Sequence, residues 1–93
     1  MNLNNLKLDE LNTPVKMVAG KLNNCRTILY WLADLEDEIK IGDYAIVENM
    51  SDYDLVKIVG IVATSYKYIK FITNCSYAKK VVRIIKRNEI RED

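Results

Sequence analysis

The sequence predicts an all-β fold, or a mainly β fold with a short N-terminal helix, built as a small five- to six-stranded barrel or roll. Three observations carry this. Residues 39–48 and 55–62 are rich in β-branched and aromatic side chains, which suit a pleated surface. Between them Asn49, Ser51, Asp52 and Asp54 supply side chains that bond locally to a turn's backbone, so the two runs read as a hairpin. Further β-rich runs recur on either side at short spacing, with no repeat, low-complexity tract or linker. Closure into a barrel removes the unpaired edges that so small an open sheet would expose.

Residues 1–14 form an arm or a short helix. Leu3, Leu6 and Leu11 lie near one helical face, Leu6 and Leu8 also fit strand alternation, and Pro14 disfavours helical angles at Thr13. Residues 15–22 read as a strand. Asn23 and Asn24 tolerate the positive φ of a two-residue turn, and residues 26–32 return as a second strand. Trp31 in that strand is a core residue or, if exposed, a partner anchor. The acidic connection 34–38 follows. Gly42 and Asp43 mark a tight entry into the central hairpin, because Gly takes backbone angles closed to other residues. In the run 63–74, Tyr66, Ile69 and Ile72 meet a helical spacing, but the Thr, Tyr, Ile and Phe content favours another strand. Residues 79–87 supply the closing strand. Residues 15–90 make one domain, followed by a charged tail, 91–93.

With 93 residues the chain is one small domain, able to bury a little over ~60% of its unfolded surface. A hydrophobic content of 49% is enough for a core and argues against disorder. No apolar run is long enough to cross a bilayer and no export signal opens the sequence, so a cytoplasmic protein without membrane contact is expected. There is no His, and Cys25 and Cys75 lack the close spacing of a metal site, so neither metal nor cofactor is expected and both thiols read as inert. Gly20, Gly42 and Gly60 stand singly rather than in a phosphate-binding loop. No nucleophile has an identifiable base partner. No catalytic residue is assigned, and the protein is expected not to be an enzyme.

The net charge of +1 hides an asymmetry: residues 1–64 hold ten acids against six bases, and residues 65–93 eight bases against three acids. Two surfaces follow. Asp34, Glu36, Asp37 and Glu38, with Asp52, Tyr53 and Asp54 at the hairpin tip, make an acidic surface suited to docking on a basic face of another protein. The plainer reading of these residues is a solvated loop and turn chemistry. Tyr66, Lys67, Tyr68, Lys70, Phe71, Tyr77, Lys79, Lys80, Arg83, Lys86 and Arg87 interleave rings with positive charge, as a nucleic-acid binder does. The plainer reading there is core aromatics and lysines that guard a strand edge. A protein partner is expected first and nucleic acid is the alternative. A second copy of the chain, pairing at an exposed strand edge, stays open.

The series Tyr30-Trp31, the acidic connection, Ile41-Gly42-Asp43 leading into Ala45-Ile46-Val47, then Val56-Lys57-Ile58-Val59-Gly60-Ile61-Val62 and Lys80-Val81-Val82-Arg83-Ile84-Ile85 resembles small SH3-like and KOW-like barrels. Among these it is similar to short proteins encoded by phages and other mobile elements of low-GC bacteria. The resemblance spans residues 15–90, and residues 66–76 have no counterpart in it. It implies an SH3-like barrel and a phage or mobile-element accessory protein that engages a host protein. It implies no catalytic residue.

Overall fold

The computed structural model describes residues 2–22, 26–75 and 77–89. Five antiparallel strands form one sheet: β1 (Pro14–Lys21), β2 (Leu29–Ala33), β3 (Tyr44–Asn49), β4 (Asp52–Ser65) and β5 (Val81–Ile85), in the spatial order β2-β1-β4-β3-β5. A short helix, α1 (Tyr66–Thr73), follows β4 directly. The expected β1–β2 pairing is present, with Val18 opposite Trp31 and Gly20 opposite Leu29. Asn23, Asn24 and Cys25, where the first turn is expected, and Ile90 with the tail lie outside the described residues.

The central hairpin pairs as expected, but its strands reach further toward the tip. Asn49 faces Asp52, leaving only Met50 and Ser51 as the turn. Met50 has φ 57°, the positive value a tight two-residue hairpin turn demands. At the other end β3 starts at Tyr44, not Ile39. Residues 40–43 form a turn in which Asp43 N–H donates to the Lys40 carbonyl (3.0 Å) and Gly42 has φ 99°.

Two register shifts bend the sheet. Ala19 faces Gly60 but Gly20 faces Ile58, so Val59 is an extra residue in β4. Ile46 faces Arg83 but Val47 faces Val81, so Val82 is an extra residue in β5. An unmatched residue increases local twist and bends its strand. At the first shift a Cβ on Gly20 would lie 3.1 Å from the Lys57 carbonyl oxygen, a tight approach that a larger residue could make only by moving β4 away by a few tenths of an ångström.

The bending brings β2 round toward the start of β5, yet the sheet does not close into a barrel. The two edges meet at one bridge, Leu32 with Lys80, where Leu32 N–H donates to the Lys79 carbonyl at 2.8 Å. Five strands fall within the expected number; the expected closed ladder is replaced by this single join.

Directly opposed residues share a face of the sheet, so the registers sort the core in two. Inside the curl pack Val18, Trp31, Ala45, Val47, Val56 and Ile58, with Val81 and Ile84 against them. On the outside of β1, β2 and the second half of β4, Val15, Met17 and Leu32 pack under Leu3, Ile69 and Ala78. Trp31 is 1% exposed, which makes it a core residue and removes it as an anchor.

Ile69 belongs to α1, and here the expected strand is corrected. A strand would put Ile69 and Phe71 on one face. A helix separates them by about 200°, which lets Ile69 be fully buried while Phe71 stands 85% exposed. The helix ends on Asn74, left-handed at φ 55°, whose N–H donates to the Lys70 carbonyl (2.8 Å). The N-terminal segment is likewise not an amphipathic helix. It makes two single 3-10 turns, Leu3–Asn5 and Glu10–Asn12, with Leu3 buried and Leu8 in solvent.

Candidate functional site

The covering layer of α1 and the N-terminal turns stops short of half the sheet. Among the described residues, neither α1 nor the N-terminal turns make a substantial contact with β3 or β5, whose outer face lies beyond this layer together with that of the first half of β4. The registers lay its side chains out in three cross-strand rows: Lys57 with Tyr44 and Ile85, Leu55 with Ile46 and Arg83, and Tyr53 with Glu48. Leu55 is 51% exposed and Tyr53 62%, while Tyr44, Ile46 and Ile85 are half-buried by their neighbours. An antiparallel sheet with one face in water normally alternates apolar-in with polar-out. Here the outward positions are mostly apolar, with Lys57, Arg83 and Glu48 among them.

The acidic set does not form one surface. Asp34, Glu36 and Glu38 are exposed and Asp37 is half-buried in the connection after β2. The backbone carbonyls of Asp37 and Glu38 accept from the ammonium groups of Lys16 and Lys86, which holds this loop on the domain. Asp34 and Glu36 line a cleft of about 430 Å³ with Pro14, Leu32, Tyr66 and Lys80, so a lysine shares their cleft. Asp52 and Asp54 lie on the opposite side of the pleat from Tyr53, pairing with Asn49 and Val47. Both serve the turn: Asp52 accepts from Tyr53 N–H (2.8 Å) and Asp54 from the Asn49 side chain. Tyr53 alone of this set points onto the apolar outer face.

The basic and aromatic set is divided too. The Lys86 ammonium is occupied at Asp43, which is buried, and Arg87 gives that carboxylate only its backbone N–H. Asp43 accepts from Lys40 N–H (3.0 Å), Arg87 N–H (3.1 Å) and the Lys86 ammonium (3.3 Å). Burial pushes its carboxyl up, but the two backbone donors and the ammonium outweigh this and leave it below its ordinary 3.8. Arg83 sits on β5 beside Glu89 at 3.8 Å. Tyr66 is half-buried against the outer core. The remaining members, Lys67, Tyr68, Lys70, Tyr77, Lys79 and Lys80, lie on α1 and in the segment leading into β5. Exposed Phe71 stands among them.

Sequence reasoning missed Leu55, Ile46, Tyr44 and Ile85 as surface residues. The run Leu55-Val56-Lys57-Ile58-Val59-Gly60-Ile61-Val62 carries apolar residues at nearly every position, so alternation does not tell its two faces apart. Its only polar residue, Lys57, marks the open face. Cys75 is exposed, and a thiol there has no imidazole to activate it in a chain without His. Among the described residues no three Cys, Asp or Glu side chains gather to hold a metal ion, and no helix is long and apolar enough to cross a membrane. Comparison with family models, with curated proteins and with solved structures finds no match to this chain.

Proposed function

We propose that the protein is a small non-enzymatic binding module that docks on another protein through the outer face of β3, β4 and β5. The observation that supports this is the uncovered apolar array of Leu55, Ile46, Tyr44 and Tyr53, carried on the central hairpin and interrupted by Lys57, Arg83 and Glu48. Apolar area left in water is a cost that burial against a partner recovers, at about 25 cal/mol per Å². Aromatic anchors inside a rim of charge are the usual anatomy of such an interface. Asp52 and Asp54 contribute to that rim instead of forming its centre. The SH3-like arrangement and the setting of a mobile-element accessory protein engaging a host protein belong to the same proposal.

The test is capture of a partner by the intact protein and by two variants. Leu55→Lys, at a half-exposed position, leaves the fold intact and abolishes capture. Asp34→Lys with Glu36→Lys leaves capture unchanged. The opposite pattern places docking on the acidic connection and overturns the assignment of the sheet face. Concentration-dependent self-association lost in Leu55→Lys, read by sedimentation, makes the partner a second copy of the chain and overturns the host-protein reading.

A further inference from the structure

We propose a second, separate site: the solvent face of α1, together with the slot beside it, binds single-stranded nucleic acid. Charge selects this surface. Residues 55–88 contain Lys57, Lys67, Lys70, Lys79, Lys80, Arg83, Lys86 and Arg87 and not one Asp or Glu. Once the Lys86 ammonium is assigned to Asp43, Arg83 to Glu89 and Lys80 to the cleft it shares with Asp34 and Glu36, Lys67, Lys70 and Lys79 remain on and beside α1 to meet a polyanion.

Rings stand beside these cations. Phe71 is 85% exposed and Tyr68 50%, and nothing in the helix's own packing accounts for either. The Lys67 ammonium lies 5.0 Å from the centre of the Tyr68 ring, and the Lys70 ammonium donates to the Asn4 side chain at 3.1 Å. Cation and ring are thus held side by side on a rigid element, the pairing that neutralises a phosphate while a base stacks. Between β2 and the end of α1 lies a slot of about 170 Å³ lined by Tyr30, Ile72, Tyr77 and Lys79. Apolar cavities of ~150 Å³ accept a ring the size of benzene, so the slot has room for one base, with Lys79 at hand for its phosphate. Stacking on rings needs unpaired bases, which makes the single strand the ligand and not the duplex.

The test is fluorescence anisotropy of the whole protein with a labelled oligothymidylate of about 15 nucleotides, a length that spans one small domain. Saturable binding is expected, with affinity falling as salt rises at a log–log slope of about −2 to −3 for three or four neutralised phosphates. Phe71→Ala weakens it at least about fivefold and Lys67→Glu with Lys70→Glu abolishes it. Both variants melt like the parent, since these side chains lie outside the core. Lys57→Glu, on the uncovered half of the outer sheet face, binds as the parent does. Three results overturn the proposal: no saturable binding at low salt, equal affinity for a duplex, or loss of nothing in Phe71→Ala. Binding to anionic lipid vesicles without binding to the oligonucleotide overturns it in favour of a membrane surface.

Discussion

The indole N–H of Trp31 donates to the backbone carbonyl of Glu48 at 2.8 Å. The two residues belong to β2 and β3, which are not neighbours in the sheet. A buried tryptophan needs a partner for its N–H, and Glu48 lies one residue beyond the last β3–β5 pair, where its carbonyl needs a donor. Each meets the other's need across the curl. On the same short stretch Glu48 N–H donates to the Lys80 carbonyl at 3.1 Å. These side-chain and bridge contacts hold the sheet bent where a closing ladder is absent.

Trp31→Phe keeps an aromatic ring in the inner core but leaves the Glu48 carbonyl without its donor and a gap beside it. Leaving this half-buried acceptor unsatisfied costs about 1–3 kcal/mol and a small cavity about another 1. The variant is expected to lose about 2–4 kcal/mol in urea unfolding. A loss under about 0.5 kcal/mol would show that the curl is held by burial alone.

Asp43 links the turn before β3 to the chain after β5 through Lys40, Lys86 and Arg87. Its folded-state pKa lies below the ordinary 3.8. The stabilisation is therefore fully present above the unfolded value and is lost as pH falls through the lower folded value. Asp43→Asn does not titrate. The gap in unfolding free energy between parent and variant is expected to be constant above about pH 5 and to narrow on acidification below 3.8. Widening of that gap in acid would mean that burial wins over the donors.

Two glycines carry the bends. Gly42, at φ 99°, sits where an L side chain is strained, and Gly42→Ala is expected to cost about 1–3 kcal/mol. Gly20→Ala drives a Cβ against the Lys57 carbonyl at 3.1 Å and Val56 at 3.2 Å, a cost of about 1–3 kcal/mol by overpacking. Each should lower the melting temperature by at least about 4 °C. At Gly60 the added Cβ meets only Ala19 Cβ, at 3.4 Å, so Gly60→Ala serves as the control and is expected to shift melting much less.

The strands were legible because their signal is local. Val15, Met17, Val56 and Ile58 declare a pleated surface by type, and Gly42 with Asp43 declares a turn. What depends on register was not legible. Val59 and Val82 look like any strand residue, yet each is the extra one that bends its strand, and those bends decide which face of Leu55 meets water. The same holds for α1. Tyr66, Ile69 and Phe71 have strand composition, and the helix wins only because Leu3, Val15 and Met17 offer Ile69 a site that a strand would have to share with Phe71. For the candidate sites, sequence found the charges but not their employment: Lys86 and Asp52 are bound up in the fold itself.

Met50 is the residue least suited to its place. It occupies the first position of the two-residue turn at φ 57°, and its side chain is 90% exposed, so no packing offsets the backbone strain. Left-handed geometry costs an L residue about 1–2 kcal/mol, and glycine escapes that cost while giving up some entropy in the unfolded chain. Met50→Gly is therefore expected to raise stability by about 1 kcal/mol, read as a higher urea midpoint at unchanged slope. The cross-strand pair Asn49 with Asp52 closes the turn in either case, so the register of Leu55 and Ile46 is unaffected. If Met50→Gly instead destabilises the chain, the Met50 side chain is making contacts that its exposure hides. The tip would then have to be counted as part of the docking face, continuous with Tyr53.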